Sequence, residues 1–395
     1  MDRRKFLKDS ALASSLFFVP SFVKAFESLV TEQLGYRRLV IIQLAGGNDG
    51  LNTIIPFNND LYYNARPRLA ITNDIIKLND DLGFHPSLAP LRSLFDNGEL
   101  SIINNVGYPN PVRSHFRSMD IWQTASGSNE YLQSGWLGRY LDAHGEKPYN
   151  AIEMDEQLSL AMKGEHFNGI ATSDYKVLHR TSKDPYFKNV LNHYDDAHLS
   201  EHNLGYLYQT MIEAKSSANY IYENTKVKLS QEEYPQNIFA KQLKNVAQFI
   251  NSGLETKVFY TSLNGFDTHA NQPNKQKQLL SQYADSVSAF VKDLKRNKTF
   301  EDTLVLTFSE FGRRVKQNAA NGTDHGAANN VFIIGKNLKK AGFYNNLASL
   351  TDLDTNGDLK YEIDFRSVYA TILSKWMNVS PNGIIQSNPK TLNFI

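Results

Sequence analysis

The sequence predicts an α/β fold, a mostly parallel central sheet with helices on both faces, on three observations. Short apolar runs recur along the chain: Arg38 to Leu44, Leu100 to Val106, Val258 to Ser262, Leu304 to Phe308 and Val331 to Gly335. They are nearly continuous rather than alternating, as strands covered on both faces are. Polar turns follow them, several carrying glycine, and apolar residues then return at helical spacing. Strand, turn and helix repeated in that order make a parallel sheet.

In chain order, residues 1–25 read as an address rather than as part of the fold. The basic segment Arg3-Arg4-Lys5-Phe6-Leu7-Lys8 precedes an apolar run from Ala11 to Val19, and Ala25 offers a small residue for cleavage. The run is far short of the roughly 20 apolar residues that span a bilayer as a helix. Its RRxFLK pattern resembles a twin-arginine export signal, with Asp2 where Ser or Thr is usual. The alternative is a basic amphipathic helix that stays attached. The resemblance implies passage through the twin-arginine machinery to the periplasm or beyond. Residues 26–395 are expected as one domain with no stable transmembrane segment.

Composition narrows the function classes. At 395 residues and 41% hydrophobic content the chain can bury a full core. Its 42 basic and 41 acidic side chains leave a formal charge of +1, too little field to argue for a nucleic-acid partner. The chain has no Cys, so a disulfide, a thiolate ligand and a lipid-bearing Cys at the signal end are all excluded. Any metal must be held by Asp, Glu, His or Asn.

The Arg38 run ends at Ala45-Gly46-Gly47-Asn48-Asp49-Gly50, which places Asp49 at a strand's carboxyl end. That turn has neither the GxGxxG spacing nor a GK[ST] ending, so nucleotide binding is excluded there. A helix is expected from Pro86 to Phe95, then the Leu100 strand. After the turn at Gly107 to Pro111, another helix opens at Arg113-Ser114-His115-Phe116 and continues to Trp122. Between 145 and 235 the pattern loosens into a partly helical insertion or cap, helical from Tyr206 to Tyr222. Regularity returns where Phe239, Leu243, Val246 and Ile250 share a helical face. The Val258 strand closes on Gly265-Phe266-Asp267-Thr268-His269. The Leu304 strand stops at Ser309-Glu310, and a glycine-bounded turn then presents Asp324 beside His325.

In such sheets ligands bind beyond the carboxyl ends of the strands. Asp49, Ser114, Asp267, His269 and Glu310 fall there, joined by Asp324 and His325. Carboxylates crowded together repel without a cation. With imidazole they suit Zn, Mn or Mg, and two such ions form a clamp for displacement at phosphorus. Taken singly, an Asp at a turn is an ordinary cap, and His85, His144, His166, His179, His193, His198 and His202 read as structural. Ser114 is the candidate nucleophile, in the first turn of a helix whose free N–H groups favour an anion; otherwise it is an N-cap. Arg113 and Arg313 are candidates to hold an oxyanion by paired hydrogen bonds, otherwise surface ion pairs. Asp352 to Asp358 imitates the start of a calcium loop, but its twelfth position is Ile363 in place of the bidentate Glu, so it reads as a polar turn.

Several longer motifs together resemble the DUF1501 family of exported bacterial proteins. They are LAGGNDGLNTIIP from Leu44, LGFHPSLAPL from Leu82, VGYPNPVRSHFRSMDIW from Val106, GWLGRYLD from Gly135, GFDTHANQ from Gly265, FSEFGRR from Phe308, GTDHG from Gly322 and DFRSVYATIL from Asp364. The resemblance implies an alkaline phosphatase-like three-layer α/β/α sandwich and a site of one or two divalent ions for phosphate or sulfate esters. It would make Asp49 the first-strand ligand, Ser114 the nucleophile and Asp267 with His269 one metal cluster. Glu310 would replace a later Asp, and His325 would be the last His, with Asp324 a ligand or its orienting partner. Glu310-Phe311 stands where that superfamily commonly has Asp-His. No C/S-x-P-x-R sulfatase motif is present. The expectation is an exported metal-dependent hydrolase of phosphate or related esters, with Ser114 or a metal-bound water as nucleophile, acting on a small-molecule or glycan ester. The competing expectation is a non-catalytic envelope protein whose cleft binds a glycan or a partner chain.

Overall fold

The computed structural model describes residues 36–186, 189, 202–225 and 229–395. The twin-arginine-like segment 1–25 lies outside the described residues. Among them a nine-stranded sheet runs through β1 (Arg38–Ala45), β2 (Leu100–Gly107), β3 (Ala151–Glu153), β4 (Ile170–Ala171), β5 (Val258–Asn264), β6 (Thr303–Phe308), β7 (Asn329–Ile334), β8 (Gly342–Phe343) and β9 (Ile363–Asp364). The order across the sheet is β8-β2-β7-β6-β1-β5-β3-β4, with β9 also paired to β2. Every pairing is parallel except those of β7, which runs antiparallel between β2 and β6.

The continuous apolar runs are explained by cover on both faces. Val40, Ile42 and Leu44 of β1 point into one core, shared with α5 (Ile238–Asn251) and α6 (Gln272–Arg296). Leu39 and Ile41 point into the other, shared with α1 (His115–Thr124), α2 (Trp136–His144) and α7 (Phe365–Thr371). The architecture is therefore the expected three-layer α/β/α sandwich. On α5, Phe239, Leu243, Val246 and Ile250 are all buried, the face their spacing predicts. The expected helix through Pro86 to Phe95 forms as a 3₁₀ segment, Pro86–Leu91, running into a short helix, Arg92–Asp96.

Residues 145–235, read as an insertion or cap, contribute to the sheet itself. Their β3 pairs with β5 and their β4 with β3, lengthening one edge, and α3 (Tyr175–Ser182) and α4 (His202–Thr225) lie beyond them in the chain. Strands of three and two residues carry no periodicity to read, which is why the segment looked loose.

The parallel strands β1, β2, β5 and β6 all end at one edge. Because β7 is antiparallel, its beginning lies at that same edge, and the turn before it joins the site.

Candidate metal centre

The loop after β1 approaches the loop after β5 so closely that a Cβ on Gly46, at φ +117°, would lie 2.4 Å from the Asp267 backbone nitrogen. Only glycine allows that contact. The turn carrying Asp324 and His325 is zipped against the segment after β6: Arg314 N donates to the Asp324 carbonyl at 3.0 Å and Gly326 N to the Gly312 carbonyl at 2.8 Å.

These loops converge three imidazoles on one carboxylate oxygen. Asp267 Oδ1 lies 3.4 Å from His115 Nε2, 3.1 Å from His269 Nε2 and 3.3 Å from His325 Nε2. In each ring the other nitrogen faces an acceptor. His115 Nδ1 meets Glu310 Oε1 at 2.9 Å, His269 Nδ1 meets Asp324 Oδ1 at 3.0 Å, and His325 Nδ1 meets the Arg113 carbonyl at 2.7 Å. A carbonyl only accepts, and so do ionised carboxylates, so all three Nδ1 atoms carry the proton. In the neutral rings the Nε2 atoms then bear lone pairs, and those of His269 and His325 stand only 2.8 Å apart. His115 Nε2 is buried with no hydrogen-bond partner. Lone pairs at these separations repel unless one ring takes a second proton or a cation lies among them.

The donor set fits such a cation. Donor atoms around a tetrahedral zinc with bonds of ~2.0–2.1 Å are roughly 3.3 Å apart, close to the separations about Asp267. Histidines held through Nδ1 by carboxylates or carbonyls are how proteins fix metal ligands. Among the described residues, the group whose ligand atoms all lie within 4.8 Å of one another is His115, Asp267 and His325; His269 stands outside that group on the solvent side, its Nε2 3.1 Å from Asp267 Oδ1. Asp267 and His269 are about half exposed, so the centre is open on one side.

The local electrostatics are consistent with ligands held ready. Burial tends to raise Asp267, but the Arg313 guanidinium more than offsets this and lowers it to about 2. Burial lowers His325, which keeps its Nε2 lone pair. The Glu310 hydrogen bond raises His115, so a proton and a cation would compete for its outer nitrogen. The hydrogen bond from Asn318, followed by that from His269, lowers Asp324.

Of the residues singled out in the sequence, Asp267, His269 and His325 come together and the others stand around or apart. Asp49 does not join them. It is buried, pairs with Arg66 Nη1 at 2.6 Å and accepts the backbone N–H groups of Leu51 and Asn52, so its carboxylate is already satisfied. Glu310 Oε1 accepts from Gly46 N at 2.8 Å as well as from His115, and so acts as an orienting group. Asp324 orients His269, not His325. Arg313 cannot grip a substrate: it is fully buried, with its nitrogens spent on the carbonyls of Gly46, Gly47, Phe266 and Thr323 and on Asp267. Arg113 is likewise engaged, by Asp354 and Asp358 of the calcium-loop look-alike. Ser114 is exposed at the N-cap of α1 and its hydroxyl makes no cap bond, so the helix leaves it unused.

His115 was missed by sequence reasoning. It sits in the first turn of α1 just beyond the carboxyl end of β2, the same placement that singled out the other candidates.

A family described as "Protein of unknown function (DUF1501)" matches residues 36–385. The chain belongs to this family. No curated protein matches this DUF1501 member. Among solved structures it is similar to the C-terminal periplasmic domain of EcEptC from Escherichia coli, with 11% identity over 91% of this chain and 89% of that one and a TM-score of 0.39. The lipoteichoic acid synthase LtaP from Listeria monocytogenes is 9% identical over 91% and 75%, with a TM-score of 0.41. The phosphonate monoester hydrolase SpPMH from Silicibacter pomeroyi is 10% identical over 90% and 75%, with a TM-score of 0.40. Likeness at this level says nothing about the chemistry of the DUF1501 centre.

Proposed function

We propose that this DUF1501 protein is an exported, divalent-metal-dependent hydrolase of phosphate or related esters, sulfate esters included. His115, His269, His325 and Asp267 would hold one ion. The observation that supports this reading is the convergence of three Nε2 lone pairs on Asp267 Oδ1, each ring fixed through its Nδ1 proton. Three imidazoles and a carboxylate with an open side favour zinc. When bound, the ion would supply Lewis acidity to an ester oxygen and lower the pKa of a water.

The chain's own residues have separable tasks. Glu310, Asp324 and the Arg113 carbonyl keep the three Nδ1 protons in place and so aim the lone pairs. Arg313 holds Asp267 ionised and fixes its direction, at the cost of offsetting part of its charge. Ser114, whose hydroxyl is free of the helix cap, is the nucleophile in this reading. The twin-arginine-like segment supports export to the periplasm or beyond.

The test is metal analysis coupled to an ester screen. Protein purified without chelator should carry about one divalent ion per chain, and His115→Ala, Asp267→Ala and His325→Ala should each lose it together with ester cleavage. Metal-free protein whose melting temperature ignores chelator would end the reading. Stoichiometric metal without cleavage of any ester would instead favour a cleft that binds a glycan or partner chain.

A further inference from the structure

Beside the metal centre lies a cavity of about 390 Å³ that none of the roles above uses. Its wall is largely apolar: Tyr108, Pro111, Phe311, Ala328 and Leu359, with Tyr361 completing it. Four of these, Tyr108, Phe311, Ala328 and Leu359, are buried side chains, so the apolar surface is the inner part.

Phe311 joins the cavity to the centre. Its ring centroid is 4.8 Å from that of His115 and 4.8 Å from that of His325, and the same side chain lines the cavity. Ala327, two residues from His325, lines it too. Asp354 and the stretch from Leu359 to Glu362 also line it, in a segment anchored where Arg113 bridges Asp354 and Asp358. That explains the polar turn which resembled a calcium loop: Arg113 takes a cation's place there, holding a cavity wall with its side chain and His325 with its carbonyl.

Charged groups at the cavity are already partnered. Asp354 pairs with Arg113, Lys360 with Asp352, and Glu362 accepts from Asn345. Nothing in the lining calls for a charged occupant. The volume is at the low end of the roughly 300–1,000 Å³ typical of small-molecule pockets, enough for one or two rings. Tyr108 and Phe311 supply aromatic surface to the lining, which suits packing against another ring.

We infer that this cavity receives the organic group of the ester, selecting an uncharged ring carried next to the anionic head. The inference rests on the hydrolase reading above and names the kind of ester that centre takes.

The experiment compares two non-hydrolysable probes, phenylphosphonate and methylphosphonate, by calorimetry on the zinc-loaded mature chain. Burying a phenyl in place of a methyl should tighten binding at least about tenfold. Ala327→Phe, which fills the cavity, should abolish that preference while methylphosphonate affinity and zinc content stay unchanged. Tyr361→Ala, which removes a wall, should shrink it and serves if the first variant does not fold. Equal binding of the two probes by the unmodified protein, or a preference that survives in a folded variant, overturns the inference. A phenol soak of crystals separates it from the parent reading. If neither phosphonate binds, the ester reading fails; phenol density in the cavity, absent in Ala327→Phe, then still supports a ring site, and no density overturns it.

Discussion

Glu310→Gln separates an orienting group from a ligand. Glu310 is 1% exposed, and its Oε1 accepts both Gly46 N at 2.8 Å and His115 Nδ1 at 2.9 Å. The amide keeps the shape and one acceptor oxygen but removes the charge. A charge-assisted hydrogen bond is roughly twice as strong as a neutral one, a difference of ~1–2 kcal/mol. In the proposed centre only the His115 bond would be coupled to the metal, so zinc affinity should fall about 5- to 30-fold, overlapping the lower part of the ~10–100-fold usual for such orienting partners. Competition against a chromophoric chelator at pH 7.5 measures this directly, with Asp267→Ala as the reference for loss of a ligand. If Glu310→Gln weakens zinc as severely as Asp267→Ala, the carboxylate binds the ion itself and the assignment is wrong. If it changes nothing, His115 does not bind zinc through Nε2.

Asp49→Asn should leave zinc content intact but cost about 3–5 kcal/mol in chemical denaturation, because buried Arg66 loses its charge partner; loss of zinc from a folded variant would restore Asp49 as a ligand. Ser114→Ala should keep full zinc and abolish ester turnover, and undiminished turnover would point to water as the nucleophile. Burial raises Glu153 to about 7, so its native state is favoured below about pH 4.5 and that advantage is lost as pH rises through 7. Glu153→Gln keeps an acceptor for Ser159 N, now at 2.7 Å, and should therefore be the more stable protein at pH 8, by at most about 3 kcal/mol, with no gain at pH 4. Thermal melts at the two pH values check this, and an equal effect at both would refute it.

The five glycine- or turn-bounded apolar runs were legible because strands buried on both faces leave unbroken stretches of Val, Ile and Leu. β3, β4 and β8 were not, since two or three residues hold no period and their place is fixed by neighbours far along the chain. In the site, position at a strand end found Asp267, His269 and His325 but could not say which way a side chain points. Asp49 has the same placement and turns away, because its partner Arg66 comes from a stretch with no distinguishing signal. His115 was hidden for the converse reason. Beside Ser114 at a helix start it carries no signal of its own, and only the fold brings its Nε2 to Asp267.

Arg313 bears on the order of events in time. Its guanidinium joins the carbonyls of Gly46 and Gly47 to those of Phe266 and Thr323, and its contact with Gly46 spans 267 residues of sequence. That clasp can close only when β1, β5 and β6 already lie side by side, and until it closes Asp267 has no fixed direction. In the proposed reading an ion would therefore not template this chain as it would a zinc finger; it would arrive at a finished scaffold. A fragment ending before Arg313 should take up zinc no better than an unfolded peptide.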